Sequence, residues 1–152
     1  MTRDTRWIAM AGLVLLAGCL AGCVPTEGGT LGDLTRTAQS ATSGLQSARL
    51  AFESWADGRS TYAVADTALS DSLTELTGAQ SSVEEIDVTT GTERRSRAEA
   101  IGELAAGASA IVSARETIAH TAGAPAEAAV RSALKASAGR LQRLSTTLGR
   151  LW

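Results

Sequence analysis

Residues 31–55 read LGDLTRTAQSATSGLQSARLAFESW. Within them Leu31, Leu34, Ala38, Ala41, Leu45, Ala48, Phe52 and Trp55 follow one another at intervals of three and four. That spacing lines up every one of these side chains on a single face of an α-helix, and its seven-residue period is that of helices packed against helices. Thr30 with Asp33 three residues later predicts a cap at the start. Asp57-Gly58-Arg59-Ser60 predicts the stop, with Gly58 free to take the left-handed conformation.

The pattern repeats outward along the chain. A second stripe runs through Tyr62, Ala65, Leu69, Ser72, Leu76, Ala79, Val83 and Ile86, widened by Leu73. It stops at Val88-Thr89-Thr90-Gly91-Thr92, where β-branched residues and glycine disfavour helix. Thr90 followed by Glu93 matches a capping box for a third helix, with a stripe of Ile101, Leu104, Ala105, Ala108, Ile111, Val112, Ile118 and Ala119. Pro125 suits the first position of a fourth, since its missing N–H has no helical partner there. That helix uses Val130, Leu134, Ser137, Leu141, Leu144, Leu148 and Leu151. No segment has the two-residue period of a strand. Helices over about 31–57, 61–87, 92–120 and 125–151, joined by short turns, predict an all-α, up-down-up-down antiparallel four-helix bundle spanning 31–152. Gly44, Gly78, Gly102, Gly107 and Gly139 fall inside these helices, each a cost of ~1 kcal/mol against alanine unless it serves a close contact.

Before residue 31 the chain has a different character. Arg3 and Arg6 precede an apolar run from Trp7 to Leu16, and small residues follow. This is the layout of an export signal, and the run is too short to span a bilayer as a helix, which takes roughly 20 apolar residues. Leu16-Ala17-Gly18-Cys19 and Leu20-Ala21-Gly22-Cys23 then follow in tandem. The segment resembles the lipobox signal of bacterial lipoproteins. That resemblance implies a diacylglycerol group on a cysteine thiol, cleavage just before that cysteine, and an acyl anchor holding the mature chain to the extracytoplasmic face of the cell membrane. Cys23 is the expected lipidation site, closing a signal peptide over 1–22, with Cys19 (a signal ending at 18) as the alternative. Residues 23–30 would serve as a flexible tether. Both cysteines lie here, so no disulfide can brace the bundle.

Composition narrows the function classes. The chain has 152 residues, 44% of them hydrophobic and 20% charged, which fits one globular domain. A net charge of −2 speaks against nucleic-acid binding. Aromatics make up only 3%, and there is a single histidine, His120. Glu116 and His120 are four apart, where bundle metal sites place Glu and His three apart, and no cysteine follows Cys23, so no metal site is expected. Met1 and Met10 both lie in the signal, which removes methionine as a haem ligand. No strand–turn–helix nucleophile motif or phosphate loop is present. Glu84 and Glu85 are neighbours that point ~100° apart on a helix, as surface charges do rather than as an acid/base pair. Neither an enzyme nor a cofactor is expected.

Charge is the uneven feature. From Ser60 to Glu93 there are seven acidic residues and no basic one, while the fourth helix region carries Arg131, Lys135, Arg140, Arg143 and Arg150 against Glu127 alone. Those five cations are candidate contacts to an anionic surface. Arg94, Arg95 and Arg97 form a second basic cluster at the start of the third helix, where the helix dipole opposes them. The reading is a structural or protein-interaction role in the cell envelope, with another envelope protein as partner. The alternative is a lipoprotein binding a small apolar ligand between its helices, where Ser72, Ser137 and Arg115 would point inward, or an anionic envelope polymer on them.

Overall fold

The computed structural model describes residues 28–120 and 123–151. Four helices follow one another: α1 (Gly29–Ala56), α2 (Tyr62–Glu85), α3 (Gly91–Ala119) and α4 (Ala124–Leu148). No strand occurs among the described residues. Each helix packs on its sequence neighbour, α4 returns to pack on α1, and α1 also approaches α3 across the diagonal; the backbones of α2 and α4 nowhere come close. This is the antiparallel four-helix bundle, with α2 and α4 at opposite corners.

One rule builds the core. Buried residues follow steps of four, three, four, three and four: Leu34, Ala38, Ala41, Leu45, Ala48 and Phe52 on α1; Ala100, Leu104, Gly107, Ile111, Ala114 and Ile118 on α3; Val130, Leu134, Ser137, Leu141, Leu144 and Leu148 on α4. Helix α2 keeps the phase with Ala65, Leu69, Ser72, Leu76 and Val83. The shared period lets each stripe face the bundle axis over the full helix length.

The α3 stripe differs from the expected one. Ala105, Val112 and Ala119 are exposed, and Ala100, Gly107 and Ala114 are buried instead. Small residues carry the buried face because α1 and α3 approach closely. A Cβ on Gly107 would stand 2.9 Å from both Leu45 Cδ1 and Leu76 Cδ2, so these two leucine tips fill the volume of the missing side chain. Gly44 on α1 marks a close approach to α2 instead, since a Cβ there would meet Glu75 Oε2 at 2.8 Å and Leu76 Cδ1 at 3.2 Å. Gly78 and Gly102 have nothing within 4 Å of such a Cβ and make no such contact. Tyr62 and Leu151, expected in the core, are also exposed, each lying at the extreme end of its stripe.

The helix ends show how the turns are set. Gly58 has φ 69°; its N–H donates to Trp55 O (2.9 Å) and the Arg59 N–H to Ser54 O (2.8 Å). These two bonds satisfy the last carbonyls of α1 in a Schellman arrangement. At the start of α3 the expected capping box is formed: Thr90 Oγ1 accepts from Glu93 N (3.1 Å), and Glu93 Oε2 accepts from Thr90 N (2.8 Å) and Thr89 N (2.9 Å). Thr30 caps nothing. Helix α1 begins earlier, after Gly28 at φ 109°, and Thr30 Oγ1 donates instead to Asp87 O at 3.2 Å. Pro125 sits at the second helical position, where its missing N–H is equally free of cost.

Candidate functional site

The two cysteines of the lipobox-like segment, Cys19 and Cys23, and the residues expected to form an export signal lie outside the described residues. None of the described helices is long and apolar enough to cross a membrane. The outer faces of the bundle carry most of its charged groups.

The five cations of the fourth helix region are not equivalent. Arg131 Nη2 donates to Asp57 Oδ1 at the C-terminal cap of α1 (3.1 Å). That bond, with a second from Arg59, holds the Asp57 carboxyl below the usual carboxylate range. Arg140 Nε donates to Glu103 Oε2 of α3 at 2.7 Å, and its Nη2 donates to the buried Ser137 Oγ at 3.0 Å. These two arginines thus bind α4 to its neighbours. Lys135, Arg143 and Arg150 are exposed and have no acidic partner among the described residues. Lys135 and Arg143 rim a shallow trough of about 480 Å³ along α4, floored by Ser132, Ala136 and Gly139.

The acidic face of α2 divides in the same way. Asp66 Oδ1 accepts from Arg115 Nε of α3 (2.8 Å), a bond that raises the arginine's pKa. Glu75 Oε1 accepts from Ser40 Oγ of α1 at 2.9 Å, and Glu84 Oε1 from Gln80 Nε2 at 3.0 Å. Asp71 and Glu85 are exposed and engage no partner among the described residues. Asp71 edges a depression of about 370 Å³ with Ala63, Val64, Thr67 and Ala68, where Val64 is 63% exposed.

Arg115 corrects an expectation. It lies on the outside of the α2–α3 seam with its side chain 38% exposed, because Asp66 draws it there, whereas Ser72 and Ser137 are buried as expected. Beside the Arg115–Asp66 pair a groove of about 280 Å³ collects Tyr62, Glu116 and His120. His120 is the C-terminal cap residue of α3, its N–H donating to Glu116 O at 3.1 Å. Among the described residues no three His, Cys, Asp or Glu side chains gather into a set fit to hold a metal ion.

The Arg94–Arg97 cluster escapes the unfavourable dipole of its own helix by turning back. Arg97 Nη1 donates to Ile86 O (3.0 Å) and Arg94 Nη1 to Thr89 O (3.1 Å), at the C-terminal end of α2 and in the turn after it. A cation is favoured at a helix C-terminus. The cluster therefore fastens the α2–α3 connection. The ion pairs Arg131–Asp57, Arg140–Glu103 and Arg115–Asp66 join residues 37 to 74 positions apart, and no local pattern in the chain announces them. Comparisons with family models, with curated proteins and with solved structures find no match to this chain.

Proposed function

We propose that this chain is a lipid-anchored lipoprotein of the extracytoplasmic membrane face, whose helical bundle contacts another protein of the envelope and carries out no catalysis. The anchor is the diacylglycerol-bearing thiol of Cys23, with Cys19 as the alternative. The observation that carries the reading is the start of the fold. Helix α1 begins at Gly29, directly after the lipobox-like Leu20-Ala21-Gly22-Cys23 and a short stretch rich in glycine and polar residues.

Five peptide links separate Cys23 from Gly28, a reach of at most ~18 Å. An anchor at Cys23 would hold one end of the bundle near the lipid. That end includes the α2–α3 turn, bonded to Thr30 through Asp87, and the end of α4, where a Cβ on Gly149 would lie 3.9 Å from Thr35 Cγ2. The bundle would stand ~40 Å off the membrane. Its tight interior, where Gly107 leaves no room for a methyl group, favours contact on the outer faces over a small apolar ligand between the helices.

The test is detergent-phase partitioning of the chain from bacterial membranes. The wild type enters the detergent phase, and Cys23→Ser moves it to the aqueous phase or leaves it unprocessed. Detergent-phase partitioning together with wild-type processing in Cys23→Ser and Cys19→Ser, singly and together, overturns the anchor.

A further inference from the structure

We propose that the α4 face of one bundle docks on the α2 face of a second copy of this chain, bringing Lys135 of one molecule to Asp71 of the other. The docking goes beyond the partner named above and rests on that reading only for the anchor, which confines the copies to one surface.

Three observations meet here. First, the unpaired charges are complementary: Asp71 and Glu85 on α2 lack partners among the described residues, as do Lys135 and Arg143 on α4, while their neighbours are held in ion pairs or hydrogen bonds within the bundle. Second, the two faces cannot satisfy each other within one molecule, because α2 and α4 occupy opposite corners and their backbones nowhere come close. Third, the faces match in height. Helices α2 and α4 run in the same direction, and Asp71 is the tenth residue of one while Lys135 is the twelfth of the other. Their levels are therefore ~14 and ~17 Å from the helix starts. Two bundles standing side by side in the same orientation place these residues opposite each other.

The floors of both faces are small enough for helices to approach. Ala63, Thr67 and Ala68 lie on α2, and Ser132, Ala136 and Gly139 on α4; the exposed Val64 would gain cover. Because the two faces differ and lie on opposite sides, each docked copy presents a fresh face, and the contact propagates as a row rather than closing as a dimer. One helix face of 24 residues offers ~36 by ~10 Å, about 400 Å², below the ~800 Å² per partner of a standard interface. Such a contact is weak in dilute solution and is strengthened where both copies are confined to one surface.

Lys135 is the only lysine in the chain, which makes the test specific. Membranes carrying the full chain are treated with a zero-length carbodiimide, which joins a carboxylate to an amine in contact with it. We expect dimers and longer multimers whose linking peptides join Lys135 to Asp71. Within one molecule that linkage is barred by the opposite-corner placement. Lys135→Arg keeps the charge but removes the amine, and the multimers disappear. Asp71→Lys sets like charges together and abolishes them, and adding Lys135→Asp restores multimers joined through the exchanged positions. Salt near 1 M, where screening acts within ~3 Å, reduces the yield.

Absence of the Lys135–Asp71 product from a chain that stays in the membrane overturns the docking and leaves the anchor standing. Linkage of Lys135 only to a different protein, or no effect of Asp71→Lys, also overturns it. Should the chain prove unanchored, the anchor fails, and the released chain at high concentration must still give the same product or the docking fails too. Circular dichroism of each variant confirms that the bundle is intact.

Discussion

Gly107 on α3 stands so close to Leu45 on α1 that a single added methyl group would come within 2.9 Å of Leu45 Cδ1, and the same distance from Leu76 Cδ2 on α2. Both leucines are fully buried, so neither tip has open space to move into. Gly107→Ala gains ~1 kcal/mol of helix propensity but forces overpacking worth ~1–3 kcal/mol. The clash falls on two walled-in side chains, so it wins. The variant is expected to lose up to about 2 kcal/mol in chemical denaturation. Gly78→Ala and Gly102→Ala meet nothing within 4 Å and are expected to gain ~0.5–1 kcal/mol each. If Gly107→Ala proves as stabilising as these two, the close α1–α3 approach is wrong.

Gly58 holds the α1–α2 turn at φ 69°, a conformation that costs a residue with a Cβ about 1–2 kcal/mol. Nothing crowds the position. Gly58→Ala should therefore lower stability by that backbone term alone, and Gly58→Asn by less, because asparagine tolerates the left-handed region. Equal losses for the two variants would mean that the turn has another conformation.

The capping box at the start of α3 predicts a pH dependence. Hydrogen bonds from the Thr90 and Thr89 backbone N–H groups, with a third from the Thr89 hydroxyl, pull the Glu93 pKa down from an ordinary 4.5 to about 2. The folded chain thus binds this proton less readily than the unfolded one. The contribution is complete above about 4.5 and is lost as the pH falls toward about 2. Glu93→Gln should flatten the stability profile within that window, and the wild-type and variant profiles should run parallel above it. A wild-type profile no steeper than the variant's in the window would refute the box. Thr90→Ala, which removes the reciprocal acceptor, should cost ~1 kcal/mol at neutral pH.

Leu134 is fully buried in the α4 stripe. Leu134→Ala is expected to cost ~2–5 kcal/mol, whereas Leu50→Ala, at a position 58% exposed, should fall within ~0.5 kcal/mol of wild type. Comparable losses at the two sites would place α1 or α4 in the wrong rotation about its axis.

Three of the four stripes were legible in the residues because their buried positions intersperse leucine, valine or phenylalanine with alanine or serine. The period survives when small residues are ignored. On α3 it does not. Its buried face rests on Ala100, Gly107 and Ala114, which in isolation look no more apolar than the exposed Ala105 and Ala119, and the exposed Val112 pulls the apparent stripe sideways. Only the partners Leu45 and Leu76 explain why a glycine belongs inside. The charge bias between α2 and α4 was equally plain. Which charges are free was not, since Arg131 and Arg140 are consumed by Asp57 and Glu103 from distant parts of the chain. The α3 capping box and the Gly58 stop were readable because both are local; Thr30, drawn away by the Asp87 carbonyl, was not.

The most direct measurement of the central claim is the intact mass of the chain extracted from bacterial membranes, with sequencing of its N-terminal peptide. The mature chain is expected to start at Cys23, or at Cys19, with a diacylglycerol thioether on that residue. A chain that keeps residues 1–18, or one cleaved at a position other than these cysteines and free of lipid, would contradict it.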